Sequence, residues 1–453
     1  MRPFGLSGEA KSSLLQRLAQ RGGERPPAPA APPPRLPLGD DGTRAELRRL
    51  REAGRLLGIG NPYFRAHDGL AGAETSVAGR KLLNLVSYNY LGLNGDARVL
   101  AAAAAAMHRY GTSVSASRLV SGERPVHRTL EQALAELHGT EDCVAMVSGH
   151  ATNVTVIGCL VGPGDAVVHD AYAHNSIVQG AQLSGAQRLA FPHNDVAALE
   201  RLLRGLRARR VLVVVEGHYS MDGDVPDLAA LAAVTRAGGA WLMVDEAHAL
   251  GVLGATGRGV AEHCGVAPGV VDLWMGTLSK TLCACGGYIA ARAEVVEYLR
   301  CAAPGFVYSV GLAPPLAAAA EAALGLMLAE GWRVERLQAN GRLFLAEARA
   351  AGLDTGGSVG AAIVPVILGS SLKAAQVAEE LFRRGVNAQP IMFPAVPERA
   401  ARLRFFLSAL HDPAQLRHAV AETAAAVAEV ERNGVGAMEM AMRMGGNGAR
   451  SGE

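Results

Sequence analysis

The chain has 453 residues, of which 49% are hydrophobic and 19% are charged, and its formal net charge is +2. This length exceeds that of a typical single domain, so we expect two or three domains around a large core. The balanced charge and ordinary apolar content exclude a disordered chain and argue against a nucleic-acid partner.

Membrane insertion, export and metal binding find no support in the sequence. No uncharged apolar run reaches the roughly 20 residues that span a bilayer, so we expect no membrane span. The N-terminus lacks the apolar segment of a signal peptide, which predicts that the protein is not exported. The six cysteines show no paired CxxC spacing, which favours reduced thiols, a cytoplasmic protein and no metal site.

The first 60 residues predict a leader that precedes the folded body. Leucines at helical spacing over residues 5–20 predict a short helix, and the proline-rich segment 24–37 predicts a stiff linker. A second charged, leucine-rich helix is predicted over residues 44–57. We expect the following segment, residues 61–95, to pack with a smaller C-terminal domain.

Residues 96–330 predict a large α/β domain. Short apolar, β-branched runs alternate with helical patterns, as in CVAMVSG, DAVVHD, RVLVVVEG, WLMVDEAH and VDLWMGTLSK. Strands interleaved with helices indicate a mostly parallel sheet that is covered on both faces. A ligand is expected at the carboxyl ends of such strands.

A smaller α/β unit is predicted over residues 331–432. Its strands are expected near IVPVILG and RLRFFLSAL, and its helices near LKAAQVAEELFRRG and DPAQLRHAVAETAAAVAEVE. Asp412 and Pro413 form a good N-cap and first-turn pair for the last helix. The Gly- and Met-rich tail, residues 433–453, is predicted to be disordered.

Lys280 and Asp245 are the strongest candidates for chemistry. Lys280 follows the predicted strand VDLWMG, and a lysine amine is a nucleophile toward carbonyls when it is placed in a pocket. Asp245 directly follows four apolar residues, where a carboxylate is costly unless a cation pairs with it. The pair matches pyridoxal 5'-phosphate, which needs a lysine for its aldehyde and a carboxylate for its protonated ring nitrogen.

Further polar residues stand at other predicted strand ends. His248 is a candidate partner for the phenolic oxygen of the cofactor, and His174 is a candidate to stack on its ring. Each alone is equally consistent with a satisfied histidine near a strand end. For the phosphate, the turn Ser148-Gly149-His150 leads into a helix whose free N–H groups attract an anion, and Thr277 adds a hydroxyl.

Taken together, the motifs resemble the α-oxoamine synthase family of fold-type I pyridoxal phosphate enzymes over residues 62–431. The segments that carry the resemblance are SYNYLGL (87–93), SASRLVSGERPVHRTLE (115–131), SGHATN (148–153), HDAYAHNS (169–176), EGHYSMDGD (216–224), VDEAHALGVLGATGRG (244–259), GTLSKT (276–281) and RLRFFLSALH (402–411). The implied fold is a large domain with a mostly parallel seven-stranded sheet, plus a smaller C-terminal α/β domain.

The resemblance also implies roles for single residues. Lys280 is the Schiff-base lysine, Asp245 the partner of the pyridinium, and His174 the ring-stacking residue. The remaining cofactor contacts are implied at Ser148, Gly149, His150, Ser220, His248, Thr277 and Ser309. Substrate contacts are implied at Tyr88, Asn89 and Arg404, and Arg404 would grip the substrate carboxylate in a bidentate pair.

The implied reaction joins an α-amino acid to an acyl thioester with loss of CO2. Family members are homodimers with shared active sites, so Ser309 would reach the phosphate in the partner's site. The segment Ser87-Tyr88-Asn89-Tyr90 looks more like serine palmitoyltransferase than 8-amino-7-oxononanoate synthase, and His150 replaces a usual aromatic residue. Both departures leave the two substrates open.

The acyl donor is either acyl-CoA or a carrier protein. The leader helix LSGEAKSSLLQRL (6–18) is similar to leader segments of polyketide assembly-line modules, which favours a carrier protein and natural-product biosynthesis. The same helix is equally compatible with packing on a dimer surface. Two other functions stay open, namely another fold-type I enzyme (an aminotransferase or decarboxylase) and a non-catalytic partner subunit.

Overall fold

The computed structural model describes residues 8–20, 48, 52, 54 and 59–433, and the chain divides into two units, Met1–Gly58 and Ile59–Glu453. In the first unit, helix α1 (Gly8–Gln20) confirms the helix predicted over residues 5–20. The predicted proline-rich linker, most of the predicted helix 44–57 and nearly all of the predicted disordered tail lie outside the described residues. The domain boundaries at 95, 330 and 432 stay predictions.

The second unit contains all the strands that the described residues form. In chain order they are β1 (His67–Asp68), β2 (Glu74–Val77), β3 (Arg80–Asn84), β4 (Asp142–Met146), β5 (Ala166–Asp170), β6 (Gln187–Phe191), β7 (Val211–Glu216), β8 (Trp241–Asp245), β9 (Leu273–Thr277), β10 (Gly287–Ala291), β11 (Ile363–Ile367), β12 (Val386–Asn387), β13 (Gln389–Ile391) and β14 (Arg402–Phe406).

The helices of this unit cover the strands. They are α2 (Ala97–Tyr110), α3 (Pro125–His138), α4 (Gly149–Leu160), α5 (Asn175–Ser184), α6 (Val196–Gly205), α7 (Leu228–Ala237), α8 (Val260–His263), α9 (Ala293–Ala302), α10 (Pro304–Val307), α11 (Pro314–Ala329), α12 (Trp332–Ala350), α13 (Ser371–Arg383) and α14 (Pro413–Arg432). None of the described helices combines the length and hydropathy needed to cross a bilayer.

The large sheet has seven strands in the order β4-β10-β9-β8-β7-β5-β6. From β9 to β6 every neighbouring pair is parallel, whereas β10 runs antiparallel to both β4 and β9. Nearly every residue of β5, β7 and β8 is buried, as expected for strands with helices on both faces. The predicted fold class, a fold-type I transferase with a mostly parallel seven-stranded sheet, is confirmed.

Two smaller sheets complete the unit. One has the order β11-β14-β13 and is antiparallel, and the other has the order β1-β2-β3-β12. In the second, β12 pairs in parallel with β3, so that Val386 lies opposite Leu83. The N-terminal strands therefore share a sheet with a strand from the C-terminal part of the chain.

Polar N-caps start several helices that border the site. Ser148 caps α4 by accepting from the backbone N–H of Ala151, and His174 caps α5 by accepting from that of Ser176. Asp412 caps α14 with Pro413 in the first turn, which confirms the predicted pair. Because α4 and α5 each follow a strand of the large sheet, their N-termini lie at the carboxyl edge.

Candidate active site

Asp245 is the buried carboxylate at the carboxyl end of β8. It is 4% exposed, and its Oδ2 accepts a hydrogen bond of 2.8 Å from Nδ2 of Asn153 on α4. Its Oδ1 accepts one of 2.9 Å from the backbone N–H of Ala247. Each oxygen keeps acceptor capacity for a cationic ring nitrogen.

Lys280 follows the neighbouring strand β9 and opens onto a cavity of about 410 Å³. Its Nζ lies 5.6 Å from the centre of the Tyr88 ring. Burial lowers the pKa of Lys280 to about 8, although the carboxylate of Asp245 opposes the shift. An amine with this pKa is partly neutral at physiological pH, as a nucleophile toward an aldehyde must be.

Glu216 ends β7, directly opposite Asp245 on β8. Its Oε1 accepts a hydrogen bond of 2.7 Å from the backbone N–H of His174. Burial, with a further contribution from Asp245, raises the pKa of Glu216 to about 8. Glu216 is therefore mostly protonated at neutral pH, and it fixes the backbone that carries His174.

His174 and His150 face each other at the N-termini of neighbouring helices. Their ring centres are 6.1 Å apart with an angle of 80° between the planes. Burial lowers the pKa of His174 while the carboxylate of Asp245 opposes the shift, so its ring is uncharged and suited to stacking on another ring. The structure thus places two predicted cofactor contacts side by side.

His248 lies in a buried aromatic cluster. Its Nδ1 is 2.7 Å from the hydroxyl of Tyr90, Phe406 stacks at 6.2 Å between ring centres, and Tyr88 meets it edge-on at 5.7 Å. Burial and the charge of Lys280 hold the pKa of His248 well below its usual value. The ring is therefore neutral. Because its Nδ1 contacts Tyr90, Nε2 is the nitrogen that remains available to a ligand.

The candidate phosphate site lies between the N-terminus of α4 and the end of β9. A Cβ built on Gly149 would stand 2.7 Å from Oγ1 of Thr277, so a residue other than glycine does not fit without a shift. Thr277 Oγ1 also accepts a hydrogen bond of 3.2 Å from the backbone N–H of Ser279. The Thr277 hydroxyl thus lies against the first turn of α4, and N–H groups at a helix N-terminus favour an anion.

Arg404 lies on β14 and reaches the loop after β7. Its Nη1 donates to the carbonyl of Ser220 at 3.0 Å and contacts the sulfur of Met221 at 3.3 Å. Burial lowers the pKa of Arg404, while Tyr88 and Tyr90 act in the opposite direction. Its Nε is buried and has no hydrogen-bond partner among the described residues, so this donor is available to an acceptor.

The side chains of Asn89 and Ser309 bond backbone groups of the chain. The amide of Asn89 donates to the carbonyl of Ala71 at 2.9 Å, and its oxygen accepts from the backbone N–H of Asn94 at 3.1 Å. Ser309 donates only to the carbonyl of Val310 and makes no hydrogen bond to the phosphate site within the described chain. The ligand roles of these two residues, like those of the other predicted site residues, stay predictions.

Three polar residues of the site carried no predicted role, namely Asn153, Glu216 and Tyr90. Glu216 follows the apolar run VLVVV, so the signal that singled out Asp245 also applies to it. Asn153 and Tyr90 act through contacts with Asp245 and His248 that are distant in sequence. No local pattern marks such contacts.

The residues fit pyridoxal 5'-phosphate. The absence of a Cβ at Gly149 lets the Thr277 hydroxyl lie against the N-terminus of α4, which suits a phosphate, and a partly neutral lysine and a buried carboxylate follow neighbouring parallel strands. The arrangement defines the class of fold-type I pyridoxal phosphate enzymes.

Comparison with known proteins makes the assignment of the chain within this class more specific. Residues 80–422 match the family Aminotransferase class I and II. The chain is 45% identical to 8-amino-7-oxononanoate synthase of Geobacter sulfurreducens over 382 residues, which cover 84% of this chain and 96% of the relative. It is 44% identical over 359 residues to the enzyme of the same name from Anaeromyxobacter sp., with 79% and 90% covered.

Solved structures of enzymes are also similar to this chain. Serine palmitoyltransferase of Sphingomonas wittichii superposes with a TM-score of 0.83 at 32% identity, covering 87% of this chain and 99% of that one. The 8-amino-7-oxononanoate synthase of Francisella tularensis has a TM-score of 0.68 at 23% identity, with 78% and 99% covered, and supports the fold alone.

The chain belongs to the α-oxoamine synthase family, within the aminotransferase class I and II enzymes. The predictions of the family, of a pyridoxal-phosphate-dependent acyltransferase and of pyridoxal 5'-phosphate as the cofactor are confirmed. The predicted type of reaction is also that of the family. The substrates, the homodimer and the cytoplasmic location are finer predictions.

Proposed function

We propose that this enzyme condenses an α-amino acid with an acyl thioester and releases an α-amino ketone, CO2 and a free thiol. The observation that carries the proposal is the position of Arg404. A buried guanidinium with an unpartnered Nε reaches the same strand ends as Lys280 and Asp245, where a substrate carboxylate would pair with it. Bound pyridoxal phosphate would supply the electron sink for the Cα carbanion.

Each residue of the site would have its own task in this reaction. Arg404 holds the carboxylate of the amino acid, so that its Cα–H bond faces Lys280. Lys280 would take the Cα proton as general base, after which Cα would bond to the acyl carbon as the thiolate leaves. Once CO2 has left, Lys280 would return a proton to the same carbon. Asp245 holds a proton on the ring nitrogen, and the uncharged His174 covers the ring face. His248, oriented by Tyr90, hydrogen-bonds the phenolic oxygen.

The acyl thioester would enter through the cavity beside Lys280. Its lining is a mixture of small apolar and polar side chains, with Leu70, Ala71, Val86, Cys283, Ala284, Ser87, Asn94 and Ser279 among them. The donor is an acyl-CoA or an acyl carrier protein. A carrier protein would fit the leader helix α1 and a role in natural-product or polyketide biosynthesis.

A second candidate pair of substrates follows from the curated relatives. The name 8-amino-7-oxononanoate describes an α-amino ketone with a methyl group on the amine-bearing carbon and a carboxylate at the far end of the chain. Such a product corresponds to alanine and a seven-carbon dicarboxylic acyl group. The 45% identity to an enzyme of that name favours this pair.

The test is a thiol-release assay on the purified, cofactor-loaded enzyme. Glycine, L-alanine and L-serine are each combined with a panel of acyl-CoA and acyl-carrier-protein thioesters, and products are identified by mass spectrometry. We expect free thiol and CO2 only when both substrates are present. Loss of CO2 without any thioester would instead indicate a decarboxylase, and conversion of the amino acid to its keto acid would indicate an aminotransferase. A protein that stays colourless after incubation with pyridoxal phosphate would indicate a non-catalytic subunit.

We also propose a homodimer in which Ser309 reaches the phosphate of the partner's site. Its neighbours Tyr308 and Val310 are 87% and 50% exposed, and Val120 nearby is 80% exposed. The backbone N–H of Gly311 donates to the carbonyl of Ala116, so the segment that carries Ser309 lies next to the segment that leads to Val120. Exposed apolar side chains on neighbouring segments favour an interface. Val120→Arg should give a monomer with weakened cofactor binding in analytical ultracentrifugation and cofactor titration, and an unchanged dimer would contradict the proposal.

A further inference from the structure

A charged cluster beside the site joins the ends of β5 and β6 to the loop that follows β7. His193, two residues after β6, has Nδ1 2.8 Å from Oδ1 of Asp170 and Nε2 2.7 Å from Oδ2 of Asp224. Burial opposes a charge here, but the hydrogen bonds to the two carboxylates raise the pKa of His193 to about 10. At neutral pH the ring is therefore an imidazolium that donates from both nitrogens.

Aromatic contacts and hydrogen bonds from a neighbouring residue also hold the imidazolium and its two carboxylates in place. Tyr172 stacks on it with 4.3 Å between ring centres, and Tyr219 meets it edge-on at 4.5 Å. Asn194 donates from its backbone to Asp170 at 2.9 Å and from its side chain to Asp224 at 2.9 Å. A cation held in this way is a rigid link between the two carboxylates.

The two carboxylates belong to different parts of the fold. Asp170 ends β5 and is fully buried within the large sheet. Asp224 lies at the far end of the loop after β7, which closes on itself through hydrogen bonds from Tyr219 N to the carbonyl of Asp224 and from Gly223 N to that of Tyr219. His193 therefore ties this loop to the frame of the sheet.

The middle of the same loop holds Arg404. The carbonyl of Ser220 and the sulfur of Met221 are the acceptors for Nη1 of Arg404, so the position of the loop sets the position of the guanidinium. A second attachment exists, because Arg402 pairs with Asp222 at 2.7 Å. Without His193 the loop would stay attached through Arg402 and Asn194, but Asp224 would lose its charged link to Asp170.

We propose that His193 is a positioning residue for the amino-acid substrate, acting through Asp224 and the loop 219–224 on Arg404. This inference rests on the proposed function, in which Arg404 holds the substrate carboxylate. His193 touches neither substrate nor cofactor in this scheme. Its effect is to keep the guanidinium at one place relative to Lys280.

The experiment uses the full-length, cofactor-loaded enzyme without any thioester. Glycine, L-alanine and L-serine are titrated in turn, and the absorbance of bound pyridoxal phosphate reports the dissociation constant of the amino acid. The variants are His193→Gln and, in case that variant does not fold, Asp224→Asn, which keeps the pair of His193 with Asp170. Arg209→Gln is the matched control, because Arg209 pairs with Asp165 at the opposite end of β5.

We expect the dissociation constant of the amino acid to rise about tenfold in both variants, while that of pyridoxal phosphate changes by less than about twofold. Arg209→Gln should match the wild type. With thioester present, KM for the amino acid should rise while kcat at saturation stays near the wild-type value.

Two results would overturn the inference about His193 and leave the proposed function standing. One is amino-acid binding at wild-type strength in both variants, and the other is an equal loss of amino-acid and cofactor binding, which marks general damage to the fold. If the wild-type enzyme itself responds to none of the three amino acids, the proposed function fails and this inference fails with it.

Discussion

The side-chain amide of Asn153 donates to Oδ2 of Asp245 at 2.8 Å and, from the same nitrogen, to the hydroxyl of Ser176 at 2.9 Å. The amide thereby links the start of α4 to β8 and α5. Because both partners are buried, the carboxylate plane is set before any ligand arrives. The orientation of the Asp245 carboxylate is thus set by three different elements.

This arrangement predicts the effect of removing the charge. Asp245→Asn keeps the volume but no longer favours a protonated ring nitrogen, so kcat should fall about 100-fold or more. Asn153→Ala keeps the charge and loses only its orientation, so we expect a fall of about tenfold. Steady-state kinetics of both variants checks this order, and equal effects would contradict it.

The phosphate site predicts a contrast between two glycines of one helix. Gly149→Ala places a methyl group 2.7 Å from the hydroxyl oxygen of Thr277, whereas a Cβ at Gly158 meets nothing within 4 Å. We expect Gly149→Ala to weaken pyridoxal phosphate binding by about tenfold or more, and Gly158→Ala to leave it unchanged. Fluorescence titration of the two apoproteins measures both constants. Similar cofactor affinities would argue against phosphate at this helix.

The lowered pKa of Lys280 predicts how cofactor loading depends on pH. Only the neutral amine attacks the aldehyde, and with a pKa of about 8 its neutral fraction rises through that pH rather than near 10.5. The rate of reconstitution of the apoprotein should therefore increase from pH about 7 and level off above about 9. Stopped-flow absorbance follows this rate. An increase that continues beyond pH 10 would show an unperturbed lysine.

His193 predicts a pH dependence of stability with a defined sign. Its folded-state pKa of about 10 lies above the unfolded value of about 6.5, so its contribution is fully present below 6.5 and is lost as the pH rises through 10. The difference in Tm between the wild type and His193→Gln should thus be largest near pH 6 and shrink toward pH 10. Differential scanning calorimetry of both proteins measures it, and a difference that grows with pH would refute the paired imidazolium.

Sequence patterns predicted the strands that read as unbroken apolar runs, and missed those that do not. VLVVVE is an unbroken apolar run before its glutamate, whereas QRLAF of β6 is largely exposed and has no run to detect. The strand β10 begins at the second of two glycines and reads as a loop. Its place between β4 and β9 depends on pairing across about 140 residues of chain, which local patterns do not encode.

The residues of the site also divide into those that the sequence predicts and those that it does not. Lys280 and Asp245 were predictable because each polar group follows an apolar strand, where its burial needs a reason. The partners of Asp245 and His248, namely Asn153 and Tyr90, were not predictable because they meet only in the folded chain. The use of the Asn89 amide to bind backbone groups was hidden for the same reason.

The parallel pairing of β3 with β12 has a consequence for how the chain is made. Leu83 finds its partner Val386 only after some 300 further residues have been synthesised, so the outer edge of β3 stays open on the ribosome until then. An open strand edge is a template for pairing with other nascent chains. Expression at low temperature or with chaperones should therefore raise the soluble yield, and truncation before residue 386 should send the product into aggregates.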